Sequence, residues 1–500
     1  MSDSRQRVAR TGEILDHVLT DPALDEERCY RAVSSRDSRF DGWFYVGVLT
    51  TGIYCRPSCP ATTPKRTNVR FYAAAGAAQT AGLRACRRCR PDAVPGSPQW
   101  NVRADLVGRA MRLIADGLVE RDGVPGLARH LGYSERHLTR QLMAEVGAGP
   151  LTLARAQRAN TARLLIETTG LPMADVAFAS GFASVRQFNE TIQAVFASTP
   201  THLRRSARPT TAASGTLSLR LPFRPPFDVV GLLSFLVARA VPGIEEGSGA
   251  AYRRTLLLPH GHAVVTLSPA DRYVACTLRL TDLRDLAAAV QRCRGLLDLD
   301  ADPVAVAEAL GADPRIGDLV RAVPGRRLPG AVDATEISVR AVLGQQISVA
   351  GARTLAARLV RSVGDPLPQP DGLLTHTFPT AAVVAAAGDD VLAMPATRRR
   401  TVRCLAAAVA DGRVVLNAGV DRADARRSLL ELPGVGPWTA SYICMRGLGD
   451  PDVFLDTDLG VRKAMAARGI PDSAPESWRP WRSYAVMHLW DSLAPTARRA

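Results

Sequence analysis

Four of the nine cysteines stand in two close pairs, Cys55 with Cys59 and Cys86 with Cys89, and twenty-six residues lie between the pairs. Three residues separate the members of the first pair and two those of the second. Such pairs can supply a tetrahedral, all-thiolate site, so one Zn²⁺ is the expected cofactor. Spacing alone fits a purely structural zinc. Charge adds a second possibility: four thiolates leave the site formally at −2, so a sulfur stays electron-rich, while Arg56, Lys65, Arg66, Arg87 and Arg88 attract a polyanion. A soft nucleophile then stands beside phosphate.

A second set of residues lies far downstream. The segment LPGVGPWTA, residues 432 to 440, carries Gly434 and Gly436 between helical patterns. Two glycines so placed let the backbone turn tightly, so that amides and the next helix N-terminus face a DNA phosphate, the helix-hairpin-helix pattern. Twenty residues beyond Trp438 stands Asp458, in DVFLDTDLGVRK, with Asp456 as the competing carboxylate. The plain alternative for Asp458 is a helix N-cap, and for Trp438 and Trp490 core packing.

Between these sets the pattern is helical. GLARHLGYSERHLTRQLMAEVG and MADVAFASGFASVRQFNETIQAVFA each read as helix, tight turn and second helix. Leu138, Leu142 and Val146 repeat the spacing of Phe188, Ile192 and Phe196, each set following a Gly-aromatic pair. Arg136, His137 and Arg140 in the first unit, and Arg186, Gln187 and Asn189 in the second, are the candidates for DNA contact.

These residues need several modules to position them, because 500 residues exceed one ordinary core. The chain reads as multidomain. A small α+β zinc module (12–95) precedes an all-α pair of helix-turn-helix units (100–205). A Ser/Thr/Ala/Pro linker (206–216) leads to a small α+β domain (217–294) and an all-α hairpin-bearing domain (295–495). A flexible tether at 206–216 implies that the two halves act independently. Lys and Arg exceed Asp and Glu by 15, which makes nucleic acid the natural partner. No apolar run approaches the ~20 residues of a membrane span, so a cytoplasmic, nucleoid-associated monomer is expected.

The residues also carry resemblances. FDGWFYVGVLTTGIYCRPSCP, NVRFY and LRACRRCRPD, within residues 25 to 92, closely resemble the N-terminal domain of Ada methylphosphotriester-repair proteins. That resemblance implies Cys55 as a single-turnover methyl acceptor and Cys59, Cys86 and Cys89 as the remaining zinc ligands, with Arg56, Arg66 and Arg88 near DNA. Methylation removes a charge from the site. Two charges ~4 Å apart interact by about 4 kcal/mol at an effective dielectric near 20, so a damage-triggered rise in DNA affinity is expected. The helical pair resembles an AraC-type DNA-binding domain, which implies promoter binding and contact with RNA polymerase.

The second half, about residues 218 to 492, is similar to alkylpurine DNA glycosylases of the AlkA type. It carries RRLPGAVDATEISVRAVLGQQIS, the hairpin and PWRSYAVMHLW. The resemblance implies Asp458 as the catalytic carboxylate, Trp438 and Trp490 lining the base pocket, and Gln346 where relatives carry an apolar wedge. Trp438 stands where bifunctional members carry a lysine, so no lyase step is expected. No Pro-Cys-His-Arg motif is present, so direct methylguanine repair is not expected. The competing reading is a regulator whose glycosylase-like half is a silent DNA-binding scaffold.

Overall fold

The computed structural model describes residues 26–36, 44–59, 61–72, 78, 81–86, 89, 91, 102–146, 148–206, 216–248 and 250–493. The chain divides into two compact units, Met1–Asp105 and Leu106–Ala500.

In the first unit, helix α1 (Glu26–Ser34) accompanies strands β1 (Tyr45–Val48), β2 (Ile53–Cys55), β3 (Val69–Tyr72) and β4 (Arg84–Ala85). The sheet order is β3-β1-β2-β4. β1 is antiparallel to β2 and β3, and β2 is parallel to β4. This pairing puts Cys55 at the end of β2 and, through Tyr54↔Ala85, brings Cys86 alongside it. The apolar core is small, and the four clustered cysteines are part of it, beside Phe44, Val46 and Phe71.

Seven helices follow, all but the first turn of the first belonging to the second unit: α2 (Val102–Ala115), α3 (Leu118–Leu131), α4 (Glu135–Val146), α5 (Pro150–Thr168), α6 (Met173–Ala179), α7 (Val185–Phe196) and α8 (Pro200–Ser206). The internal repeat has a shared backbone basis. Gly132 and Gly181 hold φ of 76° and 81°, the left-handed conformation that ends α3 and closes the turn after α6 at little cost only for glycine. Ser134 and Ser184 then accept the His137 and Gln187 amides at the start of α4 and α7. Leu138, Leu142, Phe188 and Ile192 are buried as the spacing predicts, whereas Val146 is exposed.

Next come β5 (Leu217–Pro222), α9 (Val229–Ala238), β6 (Glu245–Ser248), β7 (Ala251–Leu258), β8 (Gly261–Pro269), β9 (Tyr273–Leu280) and α10 (Leu286–Leu296). The strands form one antiparallel sheet, β5-β9-β8-β7-β6. The remainder comprises α11 (Pro303–Gly311), α12 (Gly317–Ala322), α13 (Ala334–Leu343), α14 (Val349–Val363), β10 (Pro366–Asp371), β11 (Leu374–His376), α15 (Ala381–Ala386), α16 (Ala396–Ala410), α17 (Arg422–Leu430), α18 (Pro437–Gly447), α19 (Leu459–Ala467) and α20 (Arg482–Ser492). The β10–β11 hairpin interrupts the expected all-helical run. Its prolines at 366, 368 and 370 hide it, because they read as a loop and are tolerated only on an edge.

The two halves are not separate bodies on a tether. Residues 207–215 of the expected linker lie outside the described residues, but the elements on either side pack together. Leu165, Ile166 and Val176 share one continuous core with Leu217, Leu219 and Leu286. On α2, Arg109 donates to the Gly419 carbonyl and Arg112 to the Ala418 carbonyl at 2.6 Å. Leu113 fills the space where a Gly419 Cβ would stand. Linker composition describes the tether alone, and it is silent about the apolar faces that the tether joins.

Candidate functional sites: thiolate cluster, reading helices and interdomain cleft

The sulfurs of Cys55, Cys59, Cys86 and Cys89 lie within 4.8 Å of one another, all buried. A tetrahedral zinc with bonds of ~2.3 Å holds its sulfurs about 3.8 Å apart, so the donor set and its dimensions fit this ion. Four crowded thiols cannot all ionise by themselves. Thiol hydrogen bonds from Cys55 and Cys89 lower Cys59 to about 2, whereas those to Cys59 and Cys89, with burial, push Cys55 far up. A bound dication resolves this conflict in favour of four thiolates.

The cations around the cluster divide into different roles. Arg56 is only 4% exposed. Its amide donates to Cys89 Sγ at 3.5 Å and its guanidinium to the Cys89 carbonyl. The structure therefore places Arg56 inside the metal loop and not on an open phosphate-binding face, because the CxxxC turn points it inward. Arg66 pairs with Glu26 at 2.6 Å and Glu27 at 3.2 Å. DNA would have to compete for it. Arg88 lies outside the described residues.

On the helix-turn-helix units, Arg136, Arg140, Arg186, Gln187 and Asn189 are exposed. His137 is half-buried, stacks on Tyr133 and meets Arg140 at 3.1 Å. Arg186 pairs with Glu190, and the Gln187 carboxamide oxygen accepts the Ala183 amide. The second unit thus offers partly engaged groups.

A cleft of about 1180 Å³ opens between the α9/β6/β7 face and helices α13, α14 and α18. Asp458, Trp438, Trp490 and Gln346 all line it, as do Gly434 and Gly436. Asp456 does not. Asp458 is the N-cap of α19: its Oδ1 accepts the Val461 amide at 3.0 Å. The same oxygen accepts the Trp490 indole N–H at 2.9 Å, and Oδ2 accepts that of Trp438 at 3.0 Å. The capping reading of Asp458 therefore holds, and the capping carboxylate also faces the cleft. Each tryptophan aims its N–H edge at the carboxylate, and one face of Trp438 is covered by Tyr442, stacked at 5.1 Å. Tyr442 is a cleft residue that the sequence reading missed, although its place one helical turn after Trp438 was the available signal.

Gly434 has φ 81°, and a Cβ there would overlap the Thr401 side chain. Gly436, the N-cap of α18, is bounded by nothing within 4 Å of a Cβ position. The first glycine is required by the fold and the second leaves open approach to the helix N-terminus.

Within the lining of the cleft an ionic cluster ties the sheet to α13. Arg254 meets Glu336 at 2.7 Å and Glu245 at 3.1 Å, and Arg340 meets Glu245 at 2.9 Å and Glu336 at 2.8 Å. Burial alone would push Glu245 up, yet Arg340 and Arg254 hold it below the ordinary carboxylate range. Among the described residues, no helix is long and apolar enough to cross a membrane.

The chain matches the metal binding domain of Ada over residues 28–92, a helix-turn-helix domain over 127–206 and the AlkA N-terminal domain over 218–333. It is 57% identical over 479 residues to a Mycobacterium tuberculosis protein named a probable bifunctional transcriptional activator/DNA repair enzyme AlkA, covering 94% of this chain and 97% of that one. It is 37% identical over 279 residues to DNA-3-methyladenine glycosylase 2 of Escherichia coli, covering 54% of this chain and 95% of the glycosylase. Over 140 residues it is 36% identical to the Escherichia coli bifunctional transcriptional activator/DNA repair enzyme Ada, 28% of this chain and 38% of that protein.

Proposed function

This chain belongs to the family of bifunctional AlkA-type transcriptional activators and DNA repair enzymes, and on that premise we propose that it excises alkylated purines from double-stranded DNA and accepts a methyl group from DNA phosphotriesters at Cys55. The observation that carries the excision reading is the Asp458 carboxylate, fixed in the cleft by three N–H donors. The hairpin at Gly434–Gly436 seats a phosphate, Gln346 enters the base stack and the damaged base turns into the cleft. An alkylated, cationic purine leaves with the electrons of its bond to C1′, and the Asp458 charge stabilises the oxocarbenium-like sugar. Water then forms the new C1′–O bond and releases its proton, leaving an abasic site. Trp438 occupies the position where a lysine nucleophile would start strand cleavage, so the reaction ends there.

At the thiolate cluster, zinc keeps the sulfurs deprotonated when bound. Cys59 takes the Ala61 amide and Cys89 the Arg56 amide, and such donors damp a thiolate's nucleophilicity. Cys55 then attacks the methyl carbon: the sulfur–carbon bond forms as the methyl–oxygen bond breaks, and a phosphodiester anion departs. Loss of one negative charge raises the affinity for DNA, and the exposed helices α4 and α7 direct the protein to promoters, where it contacts RNA polymerase. The reading includes a monomer acting in the cytoplasm at the nucleoid. Intact mass after exposure to duplex DNA bearing methyl phosphotriesters should show one added methyl in wild type and none in Cys55→Ser. An unmodified wild type would leave the zinc purely structural.

A further inference from the structure

Gln345 and Gln346 are neighbours in the turn between α13 and α14, yet their side chains have different surroundings. Gln346 is exposed, with φ 57°. A non-glycine residue held there is strained and persists only where its surroundings enforce it. The ends of the turn are held by ordinary backbone bonds, the Gly344 amide to the Arg340 carbonyl at 3.0 Å and the Gln345 amide to the Val342 carbonyl at 3.2 Å, but beyond Gln346 the Ile347 amide reaches the Gly344 carbonyl only at 3.5 Å. A further hold comes from outside the turn. The Gln345 carboxamide nitrogen donates to the Gly434 carbonyl at 3.1 Å and to Thr439 Oγ1 at 3.0 Å. Gly434 is the left-handed glycine of the hairpin, and Thr439 is buried on α18 next to Trp438.

One carboxamide therefore joins three parts of the site: the turn bearing Gln346, the hairpin and the helix carrying Trp438. The direction of the bond is fixed, because a carbonyl oxygen can only accept, so the amino side of Gln345 must face Gly434. The group needs two N–H donors on one nitrogen at the end of a two-methylene stem. Glutamine alone supplies that as a neutral side chain.

We propose that Gln345 is a positioning residue for base extrusion. It latches the 344–348 turn to the hairpin, so that seating the hairpin on the DNA backbone sets the depth at which Gln346 enters the stack. Parting a base from its partner costs unstacking and unpairing energy, and a turn free to relax would give way under that load. The inference rests on the excision reading above, and it assigns to Gln345 a task distinct from chemistry at Asp458.

The test uses Gln345→Glu, nearly the same shape but presenting oxygens to the Gly434 carbonyl, and Thr439→Val, which removes one of the two acceptors. Single-turnover release of one alkylated purine from the full-length protein is measured in two duplexes. In one the lesion is normally paired, and in the other it faces a stable abasic analogue, where no partner base has to be parted. Gln345→Glu should slow release from the paired duplex about tenfold to a hundredfold and change the other by less than about threefold. Thr439→Val should fall between Gln345→Glu and wild type on the paired duplex alone. Equal losses on both duplexes would show a merely structural role, and no loss on either would show a dispensable contact; both overturn the proposal. Wild type inactive on both would instead remove the excision reading beneath it.

Discussion

Asp458 accepts the Val461 amide as the cap of α19 and, on the same carboxylate, the indole N–H groups of Trp438 and Trp490. A hydrogen bond to a charged group contributes about 1.5–3 kcal/mol. Trp490→Phe keeps an aromatic ring, smaller than the indole, and loses its bond, so single-turnover excision should fall about tenfold; an unchanged rate would make the indole N–H irrelevant to the reaction. A second residue-level effect concerns acid. Burial, with Arg326 nearby, holds His488 down at about 4, so the unfolded chain binds a proton that the folded one refuses. Stability is therefore lost as pH falls from about 6.5 to 4, by about 3 kcal/mol at 1.36 kcal/mol per unit. Asp298, raised by burial to about 6, acts oppositely and loses stability as pH rises from 3.8 to 6. The difference between the wild-type and His488→Gln denaturation profiles isolates the histidine, and a difference without slope between pH 4 and 6.5 would contradict its depressed titration. Cysteine spacing and the Trp–Asp interval were legible because covalent spacing and motif context determine them. Which arginines stay open to DNA was not: Arg56 turns inward to the Cys89 carbonyl, and Arg66 meets two glutamates some 40 positions away in sequence.

Single elements make separable claims. The two hairpin glycines predict opposite outcomes. Gly434→Ala combines φ 81° with an overlap on Thr401 and should destabilise the fold by about 2 kcal/mol or more. Gly436→Ala faces open space and should cost only about 0.5 kcal/mol as an N-cap change, yet weaken duplex binding where a phosphate must approach. Equal melting points for the two variants would refute the distinction. In the zinc unit, the four clustered cysteines are themselves part of the core. A chelator should thus remove hydrogen-exchange protection from β1 and β3 while excision activity persists, and protected strands after metal loss would mean that the apolar core suffices. The helix-turn-helix repeat was readable because two Gly-aromatic turns imprint it locally. The β10–β11 hairpin was not, since its prolines carry a loop signature and only its partner strand shows otherwise.

For the whole molecule, the sequence pointed to two halves on a tether, whereas the structure has α5 and α6 sharing a core with the sheet, and α2 resting on residues 418–419. That loop runs directly into α17, the first helix of the hairpin, so α2 rests on the segment that leads to the hairpin. A Gly419→Ala side chain would collide with Leu113, which is 3% exposed, and Leu113→Ala makes room for it. Gly419→Ala should therefore increase exchange at 414–421, and adding Leu113→Ala should reverse part of that increase; strictly additive effects would show that the two residues do not meet. Packing of this kind depends on which apolar faces meet across hundreds of residues, information that no local pattern holds. Excision by the whole molecule turns on the carboxylate in the cleft. Abasic sites should accumulate when wild type acts on methylated duplex DNA, and Asp458→Asn, which keeps an N-cap, should release bases at least about a hundredfold more slowly. Equal release by the two proteins would contradict it.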